Sequence, residues 1–290
     1  MAHCPERVLP GKILEELVQN NRIIGGITET CAAKGKALYS LFVEGTIIET
    51  KASIAELAKL MENTYRDVNI ALSNELVQVG EKLNINALEV IKIANQHPRV
   101  NLHQPGPGVG GHCLAVDPYF IVAEAPRETK LIQAARHVNR EMPDFIVQQL
   151  LDMLDLHQGK VITLLGLSYK GNTEDVRESP AVNVLNRLRK ITQLDIRIFD
   201  PHLPEISTSN LEQALTDSDL AVILTDHSDF KSFSSEVVQL MKNRVLFDTR
   251  NILTDTSDFD EIYTLGSLSK KRQTITETVK IRREKHDRAN

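Results

Sequence analysis

Cys113 closes the run Gln104-Pro-Gly-Pro-Gly-Val-Gly-Gly-His-Cys113, and a carboxylate, Asp117, follows four residues later. Glycine lets the backbone take positive φ and approach a ligand closely. A thiol among exposed amides and basic side chains is favoured as the thiolate, the form that attacks electrophiles. Cys113 is therefore the candidate nucleophile, although an isolated cysteine after a tight turn reads more readily as a small buried hydrophobe; the glycine-rich setting reverses that reading. Upstream, Lys59 and Asn63 stand four residues apart in Glu56-Leu-Ala-Lys-Leu-Met-Glu-Asn-Thr-Tyr65, one helical turn apart on one face. Such a pair is most often a solvated face, but an ammonium and an amide are also the groups that stabilise a developing oxyanion. Asp117 before Pro118 either starts a turn or acts as a base. His112 is secondary, because neighbours in sequence point apart.

These groups need elements to position them. Helical spacing covers Ile13, Leu14 and Leu17, then Ala32 to Phe42, a long run from Ser53 to about Lys82, and Ala87–Asn95, with strands only at Arg22–Gly26 and Thr46–Thr50. Ser53 is the expected N-cap of the long helix, with Glu56 at the capping-box position. Leu131–Leu156 reads as helical with Pro143 as an interruption, so either two helices meet there or one starts at Met142. From Lys160 the rhythm changes. Apolar runs Val161–Leu167, Ile196–Phe199, Leu220–Leu224 and Val245–Phe247 alternate with helical stretches near 180–191, 211–216 and 233–242, the pattern of a parallel sheet of βα units. A ligand of such a sheet sits at the carboxyl ends of its strands. Ser179 before Pro180 has the form of a helix N-cap. Residues 269–290 are dense in mixed charge and read as a mobile tail or a solvated helix.

Composition narrows the classes. With 290 residues, 41% hydrophobic and 25% charged, the chain has enough apolar material for about two domains. The net charge of −5 excludes a general nucleic-acid face, so an anionic ligand must be met by local cations. No apolar run approaches the length that spans a bilayer and the start is unlike a signal peptide, which points to the cytoplasm. Three widely spaced cysteines, Cys4, Cys31 and Cys113, read as reduced thiols rather than a disulfide framework. No metal site is expected.

The Cys113 loop resembles the catalytic loop of the UDP-glucose/GDP-mannose dehydrogenase family, whose members oxidise a sugar alcohol to a carboxylate by two hydride transfers to NAD. Further segments agree: the Lys59 to Glu75 run, Gly166-Leu-Ser-Tyr-Lys-Gly-Asn-Thr-Glu-Asp-Val-Arg-Glu-Ser-Pro180, and Phe247-Asp-Thr-Arg-Asn251. Cys4-Pro-Glu-Arg-Val-Leu-Pro-Gly11 and His97-Pro-Arg-Val-Asn101 are similar to the branch acting on UDP-N-acetyl-D-mannosamine, rather than to the UDP-glucose or UDP-N-acetylglucosamine branches. The resemblance implies an α/β chain with a helical central dimerisation domain followed by a parallel-sheet, Rossmann-like UDP-binding domain. It divides the chain into 1–27, an edge of an N-terminal domain; 28–158, the central domain; 159–268, the UDP-sugar domain; and the tail.

The resemblance also implies roles. Cys113 would form a thiohemiacetal and then a thioester; Lys59 and Asn63 would steady the oxyanion; Asp117 would act as base; Glu6 would lie near the reacting carbon. A second glutamate of the UDP-glucose pattern falls on Pro10. Arg7, Val8, Arg66, His97, Arg99, Gly110, Tyr169, Lys170 and Arg250 would meet the UDP-sugar, and Arg177 the cofactor. NAD is the implied cofactor, yet the Gly-x-Gly-x-x-Gly turn that cradles its pyrophosphate is missing, since residues 106–111 lack a preceding strand and are stiffened by Pro105 and Pro107. The expectation is a family member beginning about a third of the way in, a homodimer through its central helix that binds a UDP-sugar but does not turn over without an NAD-binding half. A non-catalytic, dimeric UDP-sugar-binding remnant is the alternative of another class.

Overall fold

A computed structural model of the chain describes residues 1–8, 12–207 and 210–269. Leu9, Pro10 and Gly11, and the expected tail beyond Ser269, lie outside the described residues. The chain forms two compact units: Met1–Tyr65 with Asp117–Thr129, and Arg66–Val116 with the chain from Lys130 on.

The first unit is built around a short three-stranded sheet. β1 (Ala2–His3) pairs antiparallel with β2 (Arg22–Gly26), and β2 pairs parallel with β3 (Ile47–Lys51), Arg22 opposite Ile47. α1 (Ile13–Gln19) precedes β2, and α2 (Glu29–Tyr39) makes the crossover from β2 to β3. Thr28 caps α2 by accepting the Cys31 N–H, so the helix starts three residues before its expected first residue, Ala32. At the centre lies a buried cation, Arg22. Its guanidinium donates to Glu6 Oε1 at 2.8 Å and to the Leu17 carbonyl at 3.3 Å, and stands 5.8 Å from the Tyr39 ring centroid.

α3 (Ala52–Leu83) is one continuous helix, as the long periodic run predicts. The expected N-cap is a correction: β3 ends at Lys51 and α3 starts at Ala52, so Ser53 is already the second helical residue. The strand feeds the helix directly, which leaves no turn in which Ser53 could fold back. α3 ends where Asn84 takes φ 60° and Ile85 N–H reaches back to Gly80 O at 2.8 Å, a left-handed helix stop. α4 (Ala87–Ala94) follows at once, capped by Asn86, and α5 (Asp117–Glu124) is a short helix of the first unit that the apolar pattern did not announce.

The second unit is built on a parallel sheet. β4 (Val161–Leu165), β5 (Asp195–Phe199), β6 (Leu220–Ile223), β7 (Val245–Asp248) and β8 (Glu261–Thr264) lie in the order β5-β4-β6-β7-β8, every pair parallel. The first four match the predicted strands within a residue or two; β8 was not foreseen, since Glu261-Ile-Tyr-Thr264 is too short and polar to stand out. Alternate residues face opposite sides of a strand. Ile162, Leu164, Val222, Val245 and Phe247 share one core with Ile146, Leu150 and Met153 of α6 (Lys130–Leu156) and with Val184 and Leu188 of α7 (Pro180–Leu188). Ala221, Ile223 and Leu246 share the other with Leu215 of α8 (Leu211–Leu215), Phe230 and Met241. A helix was expected over 233–242, but α9 (Ser235–Val238) spans only part of it.

α6 overturns the expected interruption: it runs unbroken through Pro143. Proline removes only its own N–H bond, to the carbonyl four residues back, and the surrounding apolar side chains Met142, Ile146, Leu150 and Met153 are fully buried. Core packing outweighs the lost bond. The freed carbonyl is that of Asn139, and Gly108 packs against it with room for no side chain.

Candidate active site

The loop that carries Cys113 is fastened in the second unit by its glycines. Gly106 N–H donates to Asn74 Oδ1 at 2.9 Å, and Asn74 in turn donates to Asn139 Oδ1 at 2.9 Å. Asn139 then bonds Asp67, which is ion-paired with Arg136 at 2.6 Å. All of these side chains are buried, so the network stands in low dielectric, with Asp67 Oδ1 taking the donors and the buried Asp67 Oδ2 left without one among the described residues. Burial pushes the Asp67 carboxyl up despite the Arg136 guanidinium. Further along, Gly111 N–H donates to the Arg177 carbonyl at 3.0 Å, and its φ of 85° and the Tyr169 ring 2.8 Å from where a Cβ would stand require glycine. Gly110 lies against Tyr169, Pro180 and the Glu178 carbonyl. Cys113 is half-buried and forms no disulfide, and the same holds for Cys4 and Cys31. The Cys113 carbonyl accepts the Val116 N–H at 3.0 Å, a turn directly before Asp117.

The carboxyl ends of the strands gather the candidate ligand-binding groups. The segment after β4 carries Tyr169, half-buried, and Lys170, which is exposed and has no ion-pair partner among the described residues. Arg250 follows β7. Asp248 orients it by accepting the backbone N–H groups of Arg250, Ile252 and Leu253, and the guanidinium ion-pairs with Asp226 at 3.1 Å. On its other side Arg250 Nη1 stands 2.9 Å from the Cβ position of Gly106, so the loop start and the end of β7 touch. The order β5-β4-β6 places the segments after β4 and β6 at the switch point of the sheet, where ligands of open parallel sheets bind. Arg66, His97 and Arg99 are exposed; Arg99 N–H donates to His97 Nδ1 at 3.3 Å.

In the first unit the second group of predicted residues meets. Asn63, buried in α3, donates to Asp117 Oδ2 at 2.5 Å at the start of α5. Asp117 is the first residue of that helix with Pro118 after it, so its backbone starts α5 while its carboxylate accepts from Asn63. Lys59 Nζ is 4.0 Å from Glu62, and Glu62 also pairs with Arg7. Glu6 accepts the Arg22 guanidinium and the Arg7 N–H at 2.7 Å; burial raises its carboxyl, but these donors win and hold it below the usual range. Val8 is half-buried.

Ser179 occupies the N-cap position of α7 with Pro180 at N1, as expected, but its hydroxyl donates to the Leu167 carbonyl at 2.6 Å instead of capping. Arg177, predicted for the cofactor, is exposed, and its guanidinium is taken up by Asp175, whose carboxyl these hydrogen bonds bring down to about 2. The described residues hold no glycine-rich turn of the dinucleotide-cradling kind, so by themselves they do not fit a whole NAD molecule. Sequence reasoning missed Asn139, Asp67 and Asp226. The first two are ordinary polar residues on helices, and only their burial marks them; Asp226 stands two residues after the apolar run 220–224, where its place beyond a strand end could have flagged it.

Fold and site together define an α/β chain with a glycine-rich cysteine loop laid at the strand ends of a parallel sheet. Three family profiles match in succession: "UDP-glucose/GDP-mannose dehydrogenase family, NAD binding domain" over residues 1–43, its central domain over 53–141 and its UDP binding domain over 163–255. The chain belongs to the UDP-glucose/GDP-mannose dehydrogenase family. It is 48% identical over 262 residues to the UDP-N-acetyl-D-mannosamine dehydrogenase of Methanococcus vannielii, covering 87% of this chain and 61% of that protein. It is 44% identical over 259 residues to the NDP-N-acetyl-D-galactosaminuronic acid dehydrogenase of Ralstonia solanacearum, covering 87% and 60%. The solved UDP-N-acetyl-mannosamine dehydrogenase of Staphylococcus aureus superposes with a TM-score of 0.85 at 49% identity, covering 93% of this chain and 64% of that one. The chain thus spans about three fifths of the length of the curated relatives it matches.

Proposed function

We infer that the chain binds a UDP-sugar and carries the covalent part of a nucleotide-sugar 6-dehydrogenase, with UDP-N-acetyl-D-mannosamine as the favoured substrate. One observation carries this reading: the glycine loop ending at Cys113 is laid against Tyr169 and Arg250, at the strand ends where a nucleotide would sit. Lys170 and Arg250 meet the anionic portion of the ligand, the guanidinium offering a planar fork and the ammonium a point charge. Tyr169 holds the loop, and Arg7, Val8, Arg66, His97, Arg99 and Gly110 complete the sugar contacts. The names of the similar proteins support the N-acetylmannosamine choice over the UDP-glucose alternative.

NAD, where bound, would supply the hydride acceptor for the two oxidations. Cys113 Sγ adds to the C6 aldehyde, and the resulting oxygen is steadied by Lys59 and Asn63. Asp117, held by Asn63, takes the proton of the alcohol or of the hydrolytic water. Glu6 orients the reacting end, and Arg177 meets the cofactor once freed from Asp175. The division at 1–27, 28–158, 159–268 and 269–290 belongs to the same reading, with the NAD-domain profile running past its first border to residue 43. An apolar stripe along α3, Ile54, Leu57, Met61, Tyr65, Leu72, Val79 and Leu83, each exposed, supports a homodimer through that helix. No helix among the described residues is long and apolar enough to cross a membrane, which is consistent with a cytoplasmic enzyme.

Calorimetric titration of the chain with UDP and UDP-N-acetylmannosamine tests the reading. Binding is expected, weakened about tenfold or more in Lys170→Ala and in Arg250→Ala, as loss of a charge-assisted contact predicts. NAD is expected to bind far more weakly and not to be reduced by the chain alone. An absence of heat with either UDP ligand sinks the reading.

A further inference from the structure

Asp226, at the end of β6, is an acidic residue beside groups assigned to an anionic ligand, and such a placement needs a reason. Its Oδ1 accepts the Gly171 N–H at 3.0 Å and faces Arg250 Nη2 at 3.1 Å. The same oxygen therefore ties together the residue after Lys170 and the guanidinium after β7. Gly171 is pressed onto the Asp226 peptide so closely that a Cβ would stand 2.1 Å from the Asp226 carbonyl oxygen. The neighbouring contacts repeat the clamp. Asn172 N–H donates to His227 Nδ1 at 2.9 Å, which leaves the ring proton on Nε2 to meet Asp200 Oδ2 at 3.2 Å. Asn172 Oδ1 accepts the Ser228 N–H at 2.9 Å. Asp200 Oδ2 also accepts the Leu167 N–H at 2.7 Å, on the near side of Tyr169 and Lys170. The turn is thus held at both ends, whereas among the described residues the Arg250 guanidinium has its ion-pair partner in Asp226.

We propose that Asp226 is a positioning residue for nucleotide-sugar binding: it fixes the Arg250 guanidinium and the Tyr169–Lys170 turn in one arrangement without itself touching the ligand. The inference rests on the UDP-sugar reading above. Asp226 occupies one amino group of Arg250 and leaves the rest of the fork free, with Nη1 directed along the start of the Cys113 loop. The pair is close to neutral, and Lys170 supplies the net positive charge. Burial raises the Asp226 carboxyl, but Arg250 and the backbone donors hold it below the usual range, so it is ionised and available as an anchor at neutral pH.

The test is a double-mutant cycle read by calorimetry with UDP on the intact chain. Asp226→Asn keeps an acceptor for Gly171 and removes the charge that holds Arg250. It is expected to weaken UDP binding by about fivefold to thirtyfold, and Asp226→Asn with Arg250→Ala is expected to bind no more weakly than Arg250→Ala alone, since the two act through one group. A purely structural carboxylate would not produce that non-additivity. Losses that multiply, or unchanged or tighter binding by Asp226→Asn while Arg250→Ala weakens it, overturn the inference and leave the UDP-sugar reading in place. No binding by the unaltered chain overturns both. If Asp226→Asn does not hold its fold, Asp226→Ser runs the same cycle, and unfolding of both variants assigns Asp226 a structural duty alone and overturns the proposal.

Discussion

The two compact units solve different problems with different materials. In the second, two apolar cores sandwich a parallel sheet, with Ile162, Leu164, Val222, Ile223, Leu246 and Phe247 fully buried. In the first, the buried aliphatic side chains among those described are Ile24, Ala32 and Ala55, and the polar Arg22, Asn63 and Thr64 are buried beside them, Arg22 paired outward to the exposed Glu6 and Asn63 bonded to Asp117. Its surface leaves Ile13, Leu14, Leu38, Leu41 and Ile48 exposed. The difference teaches that the two units are held by different balances: the sheet unit has a self-sufficient hydrophobic drive and can carry the buried Asn74–Asn139–Asp67–Arg136 network beside it, while the smaller unit buries little apolar surface and leans on hydrogen bonds.

Chemistry is where the contrast breaks most sharply. With a dinucleotide-binding domain supplied, Cys113→Ser is expected to abolish uronate formation, and Lys59→Ala to lower kcat by about a hundredfold or more with little change in KM, because an oxyanion contact acts in the transition state. Product analysis and steady-state kinetics check both. Full conversion by the serine variant removes Cys113 from the reaction, and a pure KM effect makes Lys59 a ground-state contact. UDP affinity should be indifferent to Lys59→Ala if the nucleotide is held by the sheet unit.

Stability should separate the units next. Leu164→Ala in the sheet is expected to cost about 2–5 kcal/mol in urea unfolding, the usual range for a buried leucine. Leu57→Ala, on the exposed stripe of α3, is expected to stay within about 0.5 kcal/mol for a monomer. A concentration-dependent loss in Leu57→Ala would instead show that the stripe is covered in a dimer.

The smallest expected effect is on pH. Burial raises the Asp200 carboxyl, but His227 and the Leu167 and His202 N–H groups outweigh it and hold it well below the usual carboxylate range. A depressed folded-state value means that its contribution is fully present above the unfolded value of about 3.9 and is lost as pH falls through the lower folded one. Unfolding midpoints should therefore drop between neutral pH and about pH 3, and Asp200→Asn, weaker at neutral pH, should drop less. Parallel profiles for the two would exclude Asp200 as a source of acid lability.

Several parts of this arrangement were legible in the residues. The buried strands β4, β6 and β7 announce themselves as unbroken apolar runs, because a strand covered on both faces has no polar phase to alternate with. The continuous α3 follows from its unbroken helical spacing, and the likeness of the Cys113 loop and of segments 166–180 and 247–251 to one family is borne out by the family profiles. Local rules failed where a tertiary contact outweighed them. Pro143 does not break α6, since the loss of one hydrogen bond is small beside the packing of the helix on the sheet. Ser53 does not cap α3, since β3 runs straight into it. β8 forms from a short, polar segment because β7 offers it an edge.

What the sequence by itself determined is the longer helices, the strands β4 to β7 and the chemical types near their ends, because periodicity and residue chemistry are local properties. Which polar groups face one another was decided only by tertiary structure. Asn139 lies far along the chain from Asp67 and Asn74, which share α3, and Asp226 meets Gly171 and Arg250 only because β4, β6 and β7 end side by side. A hydrogen bond depends on angles and distances that no spacing in sequence specifies. The packing of the sheet supplied them.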